Sequence, residues 1–121
     1  RNFSYHIIKK LNLEEMKIAS QYFVGTHDFN SFMGSGSVVK STIRTIYEIK
    51  IEKNNEIIEI SIDGDSFLRN MVRIIVGTLV EVGLGRRNKE DIKNIIKIRN
   101  RAAAGPTAPP QGLFLEKIFY D

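Results

Sequence analysis

The sequence holds no cysteine. That excludes a disulfide scaffold and every cysteine-based zinc site, and it makes a reducing, cytoplasmic setting the natural expectation. No apolar run approaches the roughly 20 residues needed to cross a bilayer, so no membrane partner is expected. The N-terminus lacks the apolar stretch of a signal peptide. It also lacks an initiator Met, and the expectation is that the chain starts inside something larger or was trimmed. Chemical signatures are equally sparse. There is no glycine-rich phosphate loop, no HExxH and no nucleophile elbow. Histidine occurs only at His6 and His27, and the adjacent pair His27-Asp28 does not make a triad. Nothing here reads as a self-contained active site.

What is present suffices for one ordinary domain over residues 1–121, with 42% hydrophobic residues available for a single core. The net charge of +4 is unevenly spread. Residues 86–101 carry seven cations against Glu90 and Asp91, a local +5 that leaves the remainder at −1. A concentrated basic stripe points to a polyanionic partner, although a solvated helix face has the same composition.

Periodicity gives the elements. Asn12 is placed to cap a helix starting at residue 13, with Glu15 three residues on as in a capping box and Gly25 as its stop. Residues 25–37 are rich in Gly, Ser and Asn, have no period and read as a long loop. Ile43, Thr45, Tyr47, Ile49 and Ile51 then alternate with charged residues, as do Ile58, Ile60 and Ile62, with Asn54-Asn55 between: a hairpin with one buried face. Asp65 or Ser66 is placed to cap a long helix from 67 to about 82, ended by Gly83 and Gly85. A second helix is expected over 89–98, where Lys89, Lys93 and Lys97 fall four apart and so share a face. Residues 101–112 contain all three prolines and cannot be regular throughout. Residues 113–120 read as a strand, and the first ten, with Tyr5, Ile7 and Ile8, as a lead-in strand. Segregated strands and helices predict an α+β fold, an antiparallel sheet with helices packed on one face.

Three segments stand out. Residues 25–32, GTHDFNSF, put a His, an Asp and two Phe after a helix; the plain alternative is that the Phe plug the core while the polar pair holds the loop. Residues 65–73, DSFLRNMVR, place Arg69 and Arg73 one turn apart, with Arg73 beside Val76 and Val80 at the edge of an apolar stripe. An arginine there either snorkels or is presented to a carboxylate or phosphate in a bidentate grip. Residues 104–115, AGPTAPPQGLFL, form a proline-stiffened approach to the last strand, either a connector or a rigid presenter of side chains.

In order, the segments LNLEEMKIA, GTHDFNSF, RTI, DSFLRNMVRIIVGTLVEVGLG and RAAAGPTAPPQGLFLEKIFY, with MVRIIVGTL the most specific, resemble the A-type tRNA pseudouridine synthases over nearly the whole chain. The resemblance implies an enzyme that isomerises uridine to pseudouridine in the anticodon stem and loop of tRNA. One Asp, in a Gly-Arg-Thr-Asp stretch of an N-terminal domain, carries that chemistry, and the stretch does not occur here; this chain would be the C-terminal domain, inactive alone. It implies that Arg73 partners the Asp and that Leu113 walls the pocket of the flipped base. It suggests RNA-facing roles for His27 and Asp28 of GTHDF and for Arg44 of RTI. Arg69, Lys89, Lys93 and Lys97 join them as cations expected to meet RNA. A pseudouridine synthase-like half-domain, a homodimer, tRNA as partner, and no metal or organic cofactor are implied as well. The alternative from another class is a stand-alone RNA-binding module without catalysis. Such modules place aromatics on exposed central strands, whereas this hairpin offers Arg44, Glu48, Lys50, Glu52 and Glu59.

Overall fold

The computed structural model describes residues 1–8 and 10–110. Four strands form one antiparallel sheet: β1 (Asn2–Ile8), β2 (Gly25–Asp28), β3 (Ile43–Asn54) and β4 (Ile57–Gly64), in the order β1-β4-β3-β2. Three helices accompany it, α1 (Leu13–Gln21), α2 (Met71–Gly83) and α3 (Asp91–Ile98), with single 3-10 turns at Asn30–Phe32 and Arg101–Ala103. This is the expected α+β arrangement. The strand expected over 113–120 lies outside the described residues, and so does Leu113.

One face of the sheet is apolar and the other polar. Tyr5 and Ile7, Ile58, Ile60 and Ile62, and Ile46, Ile49 and Ile51 are buried together beneath the helices, while Glu59, Ser61, Lys50 and Glu52 lie on the opposite side. The alternation predicted for β3 breaks in the middle. A register shift between Ile46 and Glu48 leaves Tyr47 as an extra residue, and such a bulge changes the phase of every side chain beyond it. Ile46 is therefore 1% exposed, whereas Ile43 and Tyr47, expected on the core face, are 55% and 59% exposed.

α1 begins as its sequence predicts, with the Asn12 side chain accepting from the Glu15 N–H at 3.2 Å. It ends at Gln21, four residues before Gly25. The expected loop then opens with β2, which pairs with residues 43–46 of β3. α2 is nearly all buried and forms the central pillar of the core. It starts at Met71 rather than near residue 67, because Asn70 has φ 60 and cannot propagate a right-handed helix. Asp65 does not cap it; the carboxylate accepts from Ser66 N–H and Thr45 N–H. α3 starts at Asp91, so Lys89 precedes it, and the face expected for three lysines holds only Lys93 and Lys97.

Candidate functional site

Arg73 stands in the first turn of α2, half-buried, on the helix surface that meets residues 104–108. The meeting is close. A side chain at Gly77 would collide with the Pro106 carbonyl, whose oxygen lies 1.8 Å from where a Cβ would stand. One residue on, Thr78 Oγ1 accepts from the Gly105 N–H at 2.9 Å while donating to the Ile74 carbonyl. Docked this way, the loop grips Arg73 twice. Arg73 Nε donates to the Ala108 carbonyl, and the Ala108 N–H donates to the Arg73 carbonyl at 3.0 Å. From the other side Arg73 Nη1 donates to Asn70 Oδ1 at 3.2 Å. The GT of MVRIIVGTL and the AGPTAP loop are thus two halves of one mount.

The mounted guanidinium lines an open cleft of about 180 Å³ with Phe3, Tyr5, Phe67, Leu68 and Asn70. Phe3 and Phe67 meet edge to face at 5.4 Å. Burial raises the Tyr5 hydroxyl above the ordinary tyrosine range, and the charge of Arg73 works in the opposite sense. No acidic side chain among the described residues pairs with Arg73. The site is therefore a half-buried, oriented cation beside aromatic walls, ready for an anion that these residues do not supply. Sequence reasoning singled out Arg73 but not Tyr5, Phe67 and Asn70, which the structure brings beside it; for Tyr5 the only signal was its phase in a short lead-in strand.

The GTHDFNSF segment is largely architecture. Phe29 and Phe32 are fully buried. Ser31 Oγ donates to the Ile95 carbonyl at 2.6 Å and accepts from the Asn100 N–H at 2.9 Å, fastening the end of α3. Asp28 accepts from Thr42 Oγ1 at 2.6 Å, from Asn30 N–H at 3.1 Å and from Arg99 Nε at 2.7 Å. Burial pushes the Asp28 carboxyl up, but the Thr42 and Asn30 hydrogen bonds and the charge and hydrogen bond of Arg99 outweigh it, so the group lies below the ordinary aspartate range. His27 Nε2 sits 2.9 Å from the Val24 carbonyl, an oxygen that can only accept, so Nε2 carries the proton. Across from it on β3, Arg44 turns back on its own strand, with Nη1 donating to the carbonyls of Ser41 and Ile43 at 2.8 Å.

The basic stretch resolves into committed and uncommitted cations. Arg87 is bound to Glu81 and to the Ala103 carbonyl. Lys89 lies 3.0 Å from Glu15, whose hydrogen bond raises the lysine's pKa. Arg99 belongs to Asp28. Lys93 and Lys97 make no ion pair or hydrogen bond among the described residues; with His27, Gln21, Tyr22, Val24 and Ile96 they line a hollow of about 420 Å³. Arg69 is exposed, and its backbone carbonyl accepts from the Gly34 N–H at 2.8 Å. Among the described residues no group of three His, Cys, Asp or Glu could hold a metal ion, and no helix is long and apolar enough to cross a membrane.

Comparison with known proteins finds relatives along the full length of the chain. The family described as tRNA pseudouridine synthase matches residues 19–121. A tRNA pseudouridine synthase A of Thermoanaerobacter sp. strain X514 is 55% identical over 120 residues, covering 99% of this chain and 49% of that protein. A tRNA pseudouridine synthase A 2 of Clostridium tetani is 51% identical over 121 residues, covering 100% of this chain and 49% of its own length. The tRNA pseudouridine synthase A of Clostridium botulinum strain Eklund 17B is 51% identical over 120 residues, with the same 49% share. The chain spans about half the length of the curated relatives it matches.

Proposed function

Because this chain belongs to the tRNA pseudouridine synthase family, we propose that it is the C-terminal half of an enzyme that isomerises uridine to pseudouridine in the anticodon stem and loop of tRNA. In that reaction the bond from ribose C1′ to base N1 breaks and a bond from C1′ to C5 forms. C5 loses its proton and N1 gains one, so nothing is added or removed overall. A carboxylate from the other half would act on the nucleotide, and Arg73 would hold that carboxylate ionised and aimed, as an arginine within ~4–6 Å does. The observation that carries the reading is the state of Arg73: mounted by Ala108 and Asn70 at the mouth of an aromatic cleft, with no acidic partner among the described residues. Leu113 enters the proposal as the apolar wall behind the flipped base, a surface that such a base needs.

For RNA contact the uncommitted cations are favoured. Lys93, Lys97 and Arg69 are exposed, whereas Asp28 and Lys89 are engaged with Arg99 and Glu15 and serve as clamps in this reading. His27 and Arg44 stand opposite each other where β2 pairs with β3; His27 lines a hollow with Lys93 and Lys97, and both residues join the RNA-facing side in this proposal. A homodimer engaging one tRNA with both subunits completes the proposal.

The test is release of tritium from C5-labelled uridine in tRNA. The longer protein containing this chain should turn over, and the 121-residue chain alone should not. Turnover by the chain alone would refute the division of labour. Tight tRNA binding by the longer protein without any tritium release would leave a stand-alone RNA-binding module instead.

A further inference from the structure

We propose that the hollow between the end of α1, β2 and α3 is a nucleotide subsite that takes one stretch of RNA strand away from the Arg73 cleft; this rests on the reading of tRNA as substrate. Its volume of about 420 Å³ falls within the range of ~300–1,000 Å³ typical of small-ligand sites. Its lining divides by chemistry. Tyr22, Val24 and Ile96 are partly buried hydrophobics packed against the core, which gives a fixed apolar wall. Lys93 and Lys97 stand one helical turn apart at the rim. A nucleotide matches that division, with the base face against tyrosine and aliphatic carbon and the phosphate against the ammonium groups.

Two further features favour RNA over a generic charged patch. Arg87, Lys89 and Arg99, in the same basic stretch, are neutralised by Glu81, Glu15 and Asp28, whereas no acidic side chain among the described residues pairs with the two lysines at the hollow. Their charge has been left available where an apolar wall adjoins it. The wall is also held in place. His27 is pinned through Nε2 to the Val24 carbonyl at 2.9 Å and meets Phe29 edge to face at 5.7 Å. Phe29 is fully buried, so the imidazole is fixed to the core rather than free to fill the hollow. The end of α3 is fastened by Ser31, which holds the Ile95 carbonyl.

The experiment uses the longer protein with unmodified tRNA, measuring the dissociation constant across a salt series and the single-turnover rate at saturating tRNA. Lys93→Gln with Lys97→Gln should weaken binding by ~10-fold near 0.1 M salt and lower the log–log salt slope by about one per lysine. The loss should appear in the dissociation constant, and a fall in the saturated rate with affinity intact would overturn the subsite. A control pair, Lys10→Gln with Lys53→Gln, removes the same charge elsewhere on the surface and should change the slope far less. Tyr22→Leu keeps apolar bulk but removes the ring; it should weaken binding by ~5-fold or more with the slope intact, and its thermal melt should match the parent's. An equal slope change in both lysine pairs would overturn the subsite. So would unchanged affinity in Tyr22→Leu, which would reduce the hollow to a plain charged rim. If the parent protein neither bound nor modified tRNA, the functional reading itself would fail, and that result is distinguishable from either outcome above.

Discussion

At Arg73 the structure separates charge from geometry. The guanidinium is oriented by a backbone carbonyl on one side and an amide oxygen on the other, and both grips exploit its planar fork. Arg73→Lys keeps the charge and loses the fork; Arg73→Ala loses both. In the longer protein the alanine variant should cut the single-turnover rate by orders of magnitude with little effect on tRNA affinity, and lysine should fall between. A rate near the parent's, or a change confined to the dissociation constant, would make Arg73 a docking or structural residue. Asp28 is a second residue whose chemistry has a predictable signature. Its folded pKa lies below the ordinary value, so the stability it contributes is present above the unfolded pKa of ~3.9 and is lost as pH falls through the lower folded value. Asp28→Asn should therefore cost ~1–2 kcal/mol near neutral pH, the scale of a charge-assisted hydrogen bond with an exposed partner. The gap between parent and variant should close in acid. A pH-independent gap in denaturant unfolding would mean that the carboxylate's charge is irrelevant.

Elements explain what the sequence could and could not reveal. α1, the hairpin, α3 and the existence of β1 were legible because each has a cap, a turn or a clean period, whereas the pairing of β1 with β4 was not. β2 was not, since a four-residue edge strand is too short to show alternation among Gly, Thr, His and Asp. The phase of β3 was misread because nothing local marks a bulge at Tyr47. The start of α2 was misread because Asp65 is a good cap in isolation but is spent on Thr45 and Ser66. Arg73 was legible as a charge on an apolar edge, whereas its mount joins two segments about thirty residues apart in sequence. That mount makes a prediction of its own. Thr78→Val preserves shape but leaves the buried Gly105 N–H without its acceptor, which should cost ~1–3 kcal/mol. It should also slow the single-turnover rate through a loosened loop at Ala108, and Thr78→Ser, which keeps the hydroxyl, should restore both. Equal behaviour of Val and Ser in melting and in rate would show that packing at Gly77 alone docks the loop.

For the whole molecule, the decisive feature is that the buried hydrophobic residues of sheet and helices form one connected cluster, from Tyr5 and Ile7 through Phe23, Phe29 and Phe32 to Ile92 and Ile95. A single contiguous core of this kind unfolds as a unit in domains of this size. The Arg73 cleft lies at the margin of that core rather than within it, since Phe3 remains 40% exposed there. Folding and chemistry should therefore separate. The 121-residue chain alone should unfold in urea with coincident transitions by circular dichroism and tyrosine fluorescence, and with a slope of ~1–3 kcal/mol per molar. It should bind tRNA with a salt dependence that Lys93→Gln and Lys97→Gln reduce, and release no tritium. Co-expressing the remaining half as a separate chain should restore release, because no carboxylate among the described residues pairs with Arg73 and the proposed reading assigns that carboxylate to the other half. Non-coincident transitions, or strong binding of a hydrophobic dye by the chain alone, would mean that the core needs the other half to close. In that case the absence of turnover would say nothing about where the catalytic carboxylate resides.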